Sequence, residues 1–231
     1  TEILDSFSRF TGLIVNYSKS SLVPINISDD RSQELADILK CKKESMPFTY
    51  LGLPMGTTRP KVIDLMPMVS RLDHRLSGIA NLMTYSGRLT HLKAIVSALP
   101  TFAMCCITVP FTILDHFEKF GRSFLWYGKG INKHGNCLVK WGKVCLPKKA
   151  GGIGVLDLRM KNRALLTKYL YKFFNKNDIP WVNLIWSNYY DNGELPKFPT
   201  PVGSFWWRDC CSIVHSANND HDGSTILIYK R

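Results

Sequence analysis

From Val62 onward the apolar residues recur every three or four positions, a period that dictates helices packed by one face. Val62, Leu65, Met66, Val69, Leu72 and Leu76 make one stripe, and Leu89, Leu92, Ile95, Val96 and Leu99 make a second that stops at Pro100. Ile113, Leu114, Phe117, Phe120, Phe124 and Leu125 make a third, opened by Pro110, a residue suited to a helix start. The chain before Gly56 obeys no such rule. Ile3, Leu4, Phe7 and Phe10 share a helical face ended by Gly12, and Leu13-Ile14-Val15 reads as a short strand. Asn16 to Ser21 reads as a turn, Leu22 and Val23 as a strand, and Phe48-Thr49-Tyr50-Leu51-Gly52 as an aromatic strand turned by Gly52, Pro54 and Gly56. Ser28-Asp29-Asp30 sets a cap residue and two acids ahead of Leu35, Ile38 and Leu39, so it reads as a helix start and not as paired catalytic carboxylates. The expected fold class is α+β, predominantly helical, with few short strands at the beginning.

Beyond residue 128, Leu138-Val139-Lys140-Trp141 and Val144-Cys145-Leu146 suggest an extended pair. Gly151-Gly152-Ile153-Gly154-Val155-Leu156 reads as a glycine turn entering a strand, since it lacks the G-x-G-x-x-G spacing of a nucleotide-binding loop. Ala164, Leu165, Lys168, Tyr169 and Lys172 continue as a basic helix, and Trp181, Leu184, Ile185 and Trp186 as a shorter apolar one. Pro196-Lys197-Phe198-Pro199-Thr200-Pro201 reads as a linker, with Phe205-Trp206-Trp207 starting a new helix. The longest uncharged stretch, Ala94 to Leu114, is broken by two prolines and several polar residues, which argues against a membrane span. Thr1-Glu2-Ile3-Leu4-Asp5 carries neither an initiator Met nor a secretory signal and reads as the interior of a longer protein. The seven cysteines show no C-x-x-C spacing, so free thiols are expected; Cys210-Cys211 with His215 lacks a second half for a metal site, and no metal is expected.

Charge is concentrated in one block. Between Lys129 and Lys176 twelve basic residues stand against the single acid Asp157, a net +11 out of +12 for the whole chain. Such a field either attracts nucleic acid or is a solvated face that keeps the domain soluble, and block-wise asymmetry favours the first. The interleaved Trp126, Tyr127, Trp141, Tyr169 and Tyr171 either stack on bases or cover a core.

Several blocks, taken in order, carry a family resemblance. They are Gly12-Leu13 with Asn16-Tyr17-Ser18-Lys19-Ser20; Phe48-Thr49-Tyr50-Leu51-Gly52-Leu53-Pro54-Met55-Gly56; Arg75-Leu76-Ser77-Gly78; Ser86-Gly87-Arg88-Leu89-Thr90; Phe124-Leu125-Trp126; Leu138-Val139-Lys140-Trp141; and Gly151-Gly152-Ile153-Gly154-Val155 with Asn162 and Ala164-Leu165-Leu166. In this order and spacing the chain resembles the reverse transcriptase of a plant non-LTR (LINE-type) retrotransposon. The resemblance implies the end of the palm over residues 1–58, a helical thumb over 59–128, a basic connector over 129–190, and a linker with the start of a following segment over 191–231. It also implies an RNA-directed DNA polymerase whose two Mg2+ ions are held by palm aspartates preceding Thr1. This chain alone is therefore expected to be inactive and to hold no metal.

By the same resemblance Lys19 stands near the pyrophosphate leaving group of the full enzyme, against the alternative of a solvated turn lysine. Tyr50, Leu51 and Gly52 resemble the primer grip, a reading compatible with the alternative of a tight structural turn. Arg71, Arg75, Arg88 and Lys93 on the thumb, and Lys140, Lys143, Lys148, Lys149, Arg159, Lys161 and Arg163 on the connector, are the expected phosphate contacts. The implied partners are an RNA template, an RNA–DNA or DNA duplex, dNTP in the full enzyme, and the upstream palm and fingers of the same polyprotein, with no membrane. The implied location is intracellular, the nucleus for the parent element and otherwise the cytoplasm. The competing readings are a non-enzymatic nucleic-acid-binding remnant and an inactive transposon relic.

Overall fold

The computed structural model describes residues 2–77, 82–128, 137–190 and 203–219, which divide into two compact units at Pro60/Lys61. The first unit holds α1 (Glu2–Thr11), α2 (Asp29–Leu39) and four strands of two or three residues. β1 (Ser21–Leu22) pairs in parallel with β2 (Lys42–Lys43) across α2, and β3 (Phe48–Tyr50) forms a hairpin with β4 (Leu53–Met55). Gly12 follows α1 at φ +72°, the left-handed conformation that ends a helix and that glycine tolerates. α2 begins at Asp29, as its composition predicts, although the Ser28 side chain makes no capping bond. Among the described residues of this unit only Ser32, Ala36 and Leu53 are buried.

The strand expected at Leu13-Ile14-Val15 does not form. A strand is stable only when its backbone groups find a pairing partner, and no described segment pairs with this one; Ile14 is 86% exposed.

The described residues of the second unit form helices joined by turns, with no strand: α3 (Val62–Ser77), α4 (Tyr85–Ala98), α5 (Thr101–Cys106), α6 (Phe111–Tyr127), α7 (Trp141–Cys145), α8 (Leu158–Phe174), α9 (Pro180–Tyr189) and α10 (Phe205–Asn219). The three apolar stripes read from sequence are the buried faces of α3, α4 and α6. Leu65, Leu72, Leu92, Val96, Ile113, Phe117 and Phe124 lie in their shared core, with α6 packed against both α3 and α4. Gly121 lets this core close, because a side chain there would press on Leu92 and Trp141 at 3.1 and 3.3 Å. Length and apolar composition alone would let Tyr85–Cys106 cross a membrane. The stretch is bent into two helices at Leu99-Pro100, which pack on α6 and α8.

Residue 128, an expected boundary, lies inside this unit. α5 packs against α8, and α6 touches α8, so residues on either side of it share one body. The extended pair expected at 138–146 is replaced by α7, because Trp141 and Val144, three apart, bury one face of a helical turn. Residues 151–157 form no strand. A second apolar cluster joins Leu166, Leu170 and Phe173 of α8 to Ile185 of α9 and to Trp207, Cys210, Cys211 and Ile213 of α10. Its aromatic rings are closely set: Phe173 stacks on Trp186 at 4.6 Å and meets Trp207 at 4.6 Å. α10 is the helix expected from Phe205-Trp206-Trp207; the linker expected at 196–201 lies outside the described residues.

Candidate nucleic-acid interface

The most distinctive local geometry of the first unit is the tip of the β3–β4 hairpin. Tyr50 pairs with Leu53, leaving Leu51 and Gly52 as a two-residue turn with φ of +50° and +81°. Two consecutive positive φ values match the twist of a hairpin, and such turns prefer Asn-Gly. Leucine there is strained by contact between its Cβ and the backbone, at a cost of about 1–2 kcal/mol. Leu51 is 70% exposed and Tyr50 is exposed beside it, so no packing of their own compensates. The expected primer-grip residues are thus a strained apolar knob presented to solvent.

Lys19 ends a 3-10 turn, Tyr17–Lys19, whose cap is Asn16: Asn16 Oδ1 accepts bonds from the Lys19 backbone N–H at 3.2 Å and the Ser18 hydroxyl at 2.6 Å. The Lys19 side chain is exposed. The acidic pair Asp29-Asp30 occupies the first turn of α2, where Asp29 is ion-paired with Lys43 at 2.5 Å. A carboxylate engaged by a lysine on a helix start does not fit a magnesium clamp. Among the described residues no three His, Cys, Asp or Glu side chains converge as metal ligands.

The basic residues of the second unit fall into two sets. Four of the expected phosphate contacts have their charged heads engaged by other groups of the protein. Arg88 Nη1 donates to the Phe124 carbonyl at 3.4 Å, at the end of α6, and Lys93 Nζ donates to the Ile153 carbonyl. Lys161 Nζ donates to the Ser97 carbonyl and to Thr101 Oγ1, each at 2.7 Å, and burial pulls its pKa down. Arg159 lies 4.1 Å over the Phe111 ring and 3.5 Å from the buried Glu118. Arg163 is half-buried. The second set is exposed: Arg71 and Arg75 on α3, and Lys140, Lys143, Lys148 and Lys149 around α7.

The lysine-bearing segment has a fixed backbone. After α7 the chain passes Leu146-Pro147 into a 3-10 turn, Lys148–Ala150, ended by Gly151 at φ +80°. Gly152 N–H then bonds the Pro147 carbonyl at 3.2 Å, Ile153 N–H the Val144 carbonyl at 3.2 Å, and Gly154 N–H the Leu146 carbonyl at 3.0 Å. A side chain on Gly152 would fall inside the Leu146 carbonyl group, so glycine is obligatory there. The glycine motif is therefore a close-packed turn, and Lys93 holds it from the side of α4.

The aromatics of the basic block sit mostly indoors. Trp141 is buried, Trp126 packs on Tyr85 at 6.0 Å, and Tyr169 lies edge-on to Trp181 and Trp206; Tyr171 is exposed. Tyr169 also has a task that sequence reading does not reveal. A helix end leaves carbonyls without partners, and side chains from α8 and α10 satisfy those of short α5. Asn162 Nδ2 donates to the Met104 and Ile107 carbonyls at 2.8 and 3.0 Å, Tyr169 OH to Cys105 at 2.9 Å, and Trp206 Nε1 to Cys106 at 2.7 Å. Asn162 Oδ1 in turn accepts the Val109 N–H at 2.9 Å. One signal was visible in sequence: a polar residue set four before Leu166, on the buried stripe of α8. Cys210 and Cys211 are buried in the aromatic cluster, which pushes both thiols up, Cys211 to about 12. Cys145 is likewise pushed up to about 11, so these sulfurs stay protonated and poor as metal ligands.

No family model matches the chain. Over 146 residues, 61% of its length, it is 36% identical to an Arabidopsis thaliana protein named for ribonuclease H, and this region spans only 23% of that relative. Over 120 residues it is 28% identical to an uncharacterised mitochondrial protein of Arabidopsis thaliana, covering 75% of that shorter relative.

Proposed function

We propose that this chain is the part of a LINE-type retrotransposon reverse transcriptase that holds the template–primer duplex, comprising the end of the palm, the thumb and a basic connector. The single observation that carries this reading is the β3–β4 tip, where Leu51 is held in a strained, exposed left-handed turn followed by Gly52. Strain without packing to compensate it is the mark of a backbone shaped for a ligand. A glycine beside the knob lets that backbone approach a primer terminus closely. The exposed Arg71 and Arg75 of α3 add phosphate contacts that position a duplex without reading its sequence. Likeness to a larger plant protein named for ribonuclease H supports a nucleic-acid setting.

In the full enzyme Lys19, exposed on its capped turn, faces the leaving pyrophosphate and stabilises its charge. Magnesium belongs to the rest of that enzyme, because the acidic pair of this chain is committed to α2. The chain by itself binds and does not polymerise.

The test is fluorescence anisotropy on an RNA–DNA hybrid with a recessed 3′ end, alongside the same hybrid with blunt ends. The recessed hybrid binds more tightly, and added Mg2+ and dNTP give no extension. Equal affinity for both ends, or extension by the chain alone, overturns the proposal. A second reading, a non-enzymatic binding remnant, is favoured by one fact: the shorter relative is aligned over 75% of its own length, so a stand-alone protein can consist mostly of this region. It expects duplex binding with no preference for a recessed end.

A further inference from the structure

We infer that Lys140, Lys143, Lys148 and Lys149 form a preorganised cationic shelf that grips the phosphate backbone of a nucleic-acid duplex. The inference rests on the proposed function and specifies which cations make the contact. All four lysines are exposed, within ten residues of chain. No acid occurs between Glu118 and Asp157, and both of those are already engaged: Glu118 is buried beside Arg159, and Asp157 caps α8 by accepting the Arg159 and Met160 N–H groups. Among the described residues no carboxylate forms an ion pair with any of the four lysines. Charge counting alone assigns equal weight to Arg88, Lys93, Arg159 and Lys161, yet those heads are bonded to carbonyls, a hydroxyl, an aromatic face and Glu118.

The shelf is also rigid. Gly152, fitted against the Leu146 carbonyl, and the three backbone bonds across residues 144–154 fix the turn that displays Lys148 and Lys149. A ligand that meets such a surface loses less freedom on binding than one that must order a loop. Within the shelf a duplex is favoured over a single strand, because Trp141, the one aromatic residue between Leu138 and Ala150, is buried and offers no face on which bases can stack. Phosphate contact alone is left, and that contact is independent of sequence.

The experiment compares the chain with a variant carrying Lys140→Gln, Lys143→Gln, Lys148→Gln and Lys149→Gln together. Its probes are an RNA–DNA hybrid, the matching single strand, and phosphatidylcholine vesicles with and without phosphatidylserine. The substituted side chains are exposed, so an unchanged melting curve confirms that the fold is intact. The wild type prefers the hybrid, and the variant loses roughly tenfold or more in affinity at low salt. The slope of log affinity against log salt flattens by about one for each phosphate contact removed. Gly152→Ala keeps every charge while disturbing the turn, and it weakens binding with the melting curve as its own control.

A variant that keeps wild-type affinity and slope overturns the shelf while leaving the proposed function standing. A wild type with no affinity for the hybrid sinks the proposed function itself. Leu138 and Leu146 are exposed among the lysines, a mixture that an anionic membrane would also accept. Capture by phosphatidylserine vesicles without binding of the hybrid therefore also overturns the inference.

Discussion

At the scale of single residues, polar groups inside the second unit decide more than their number suggests. Glu118 is buried on α6, and desolvation raises its pKa above the ordinary 4.5, a rise that Arg159 partly offsets. The folded state consequently holds its proton at pH values where the unfolded chain has released it. Stability from this group is thus fully present below the ordinary carboxylate range and is lost as pH rises toward the folded-state value. Glu118→Gln removes that dependence: the melting temperature of the variant gains on the wild type as pH is raised from about 4.5 to neutrality. Parallel curves over that range would refute the assignment. Asn162 gives the opposite case, a buried amide with both N–H groups and its oxygen engaged. Asn162→Asp keeps the bond from Val109 but sets an anion against the Met104 and Ile107 carbonyls, costing about 3 kcal/mol or more in urea unfolding. Part of that loss returns on acidification, when the introduced carboxyl regains a donor; a loss of under about 1 kcal/mol would show that the two carbonyls do not depend on Asn162.

At the scale of elements, helices were legible because their cores are local. The stripes of α3, α4 and α6 appear in sequence with the spacing that buries them. Leu13-Ile14-Val15 has strand composition but no strand, since pairing depends on a partner that composition does not report. α7 is not legible in the sequence, because Trp141 and Val144 fit either an extended segment or one helical turn, and five residues are too few for periodicity to choose. The charge block was legible as a total but not in its division: nothing in the spelling of Lys93 or Lys161 distinguishes a head bonded to a carbonyl from one in solvent. The β3–β4 hairpin supplies a test at this scale. Leu51→Asn replaces a residue strained at φ +50° by one that tolerates the left-handed turn, and stabilises the hairpin by about 0.5–1 kcal/mol in local amide exchange. The same substitution removes the apolar knob and weakens binding of the recessed hybrid. Gain of stability with undiminished binding would separate the strain from any role in gripping a primer.

At the scale of the molecule, two units of unequal constitution share one chain. The second buries two apolar clusters, one among α3, α4 and α6 and one among α8, α9 and α10, and carries long-range bonds such as Trp206 to Cys106. In the first, Ile3 and Phe10 of α1 are exposed, at 85% and 92%, and its strands are two or three residues long. Burial of apolar surface is what opposes chain entropy, so the free energy of local opening must differ sharply between the units. Hydrogen exchange will show it: amides of α6 and α8 exchange slowest, while those of α1 and the two strand pairs exchange fast under native conditions. Adding the RNA–DNA hybrid slows exchange at the β3–β4 tip of the first unit and, as a separate readout, around α7 of the second, because binding energy opposes opening wherever the ligand makes contact. Uniform protection across the two units in the free protein would contradict the burial pattern. Protection by the hybrid confined to α7 would leave the lysine shelf in place and remove the hairpin from the interface.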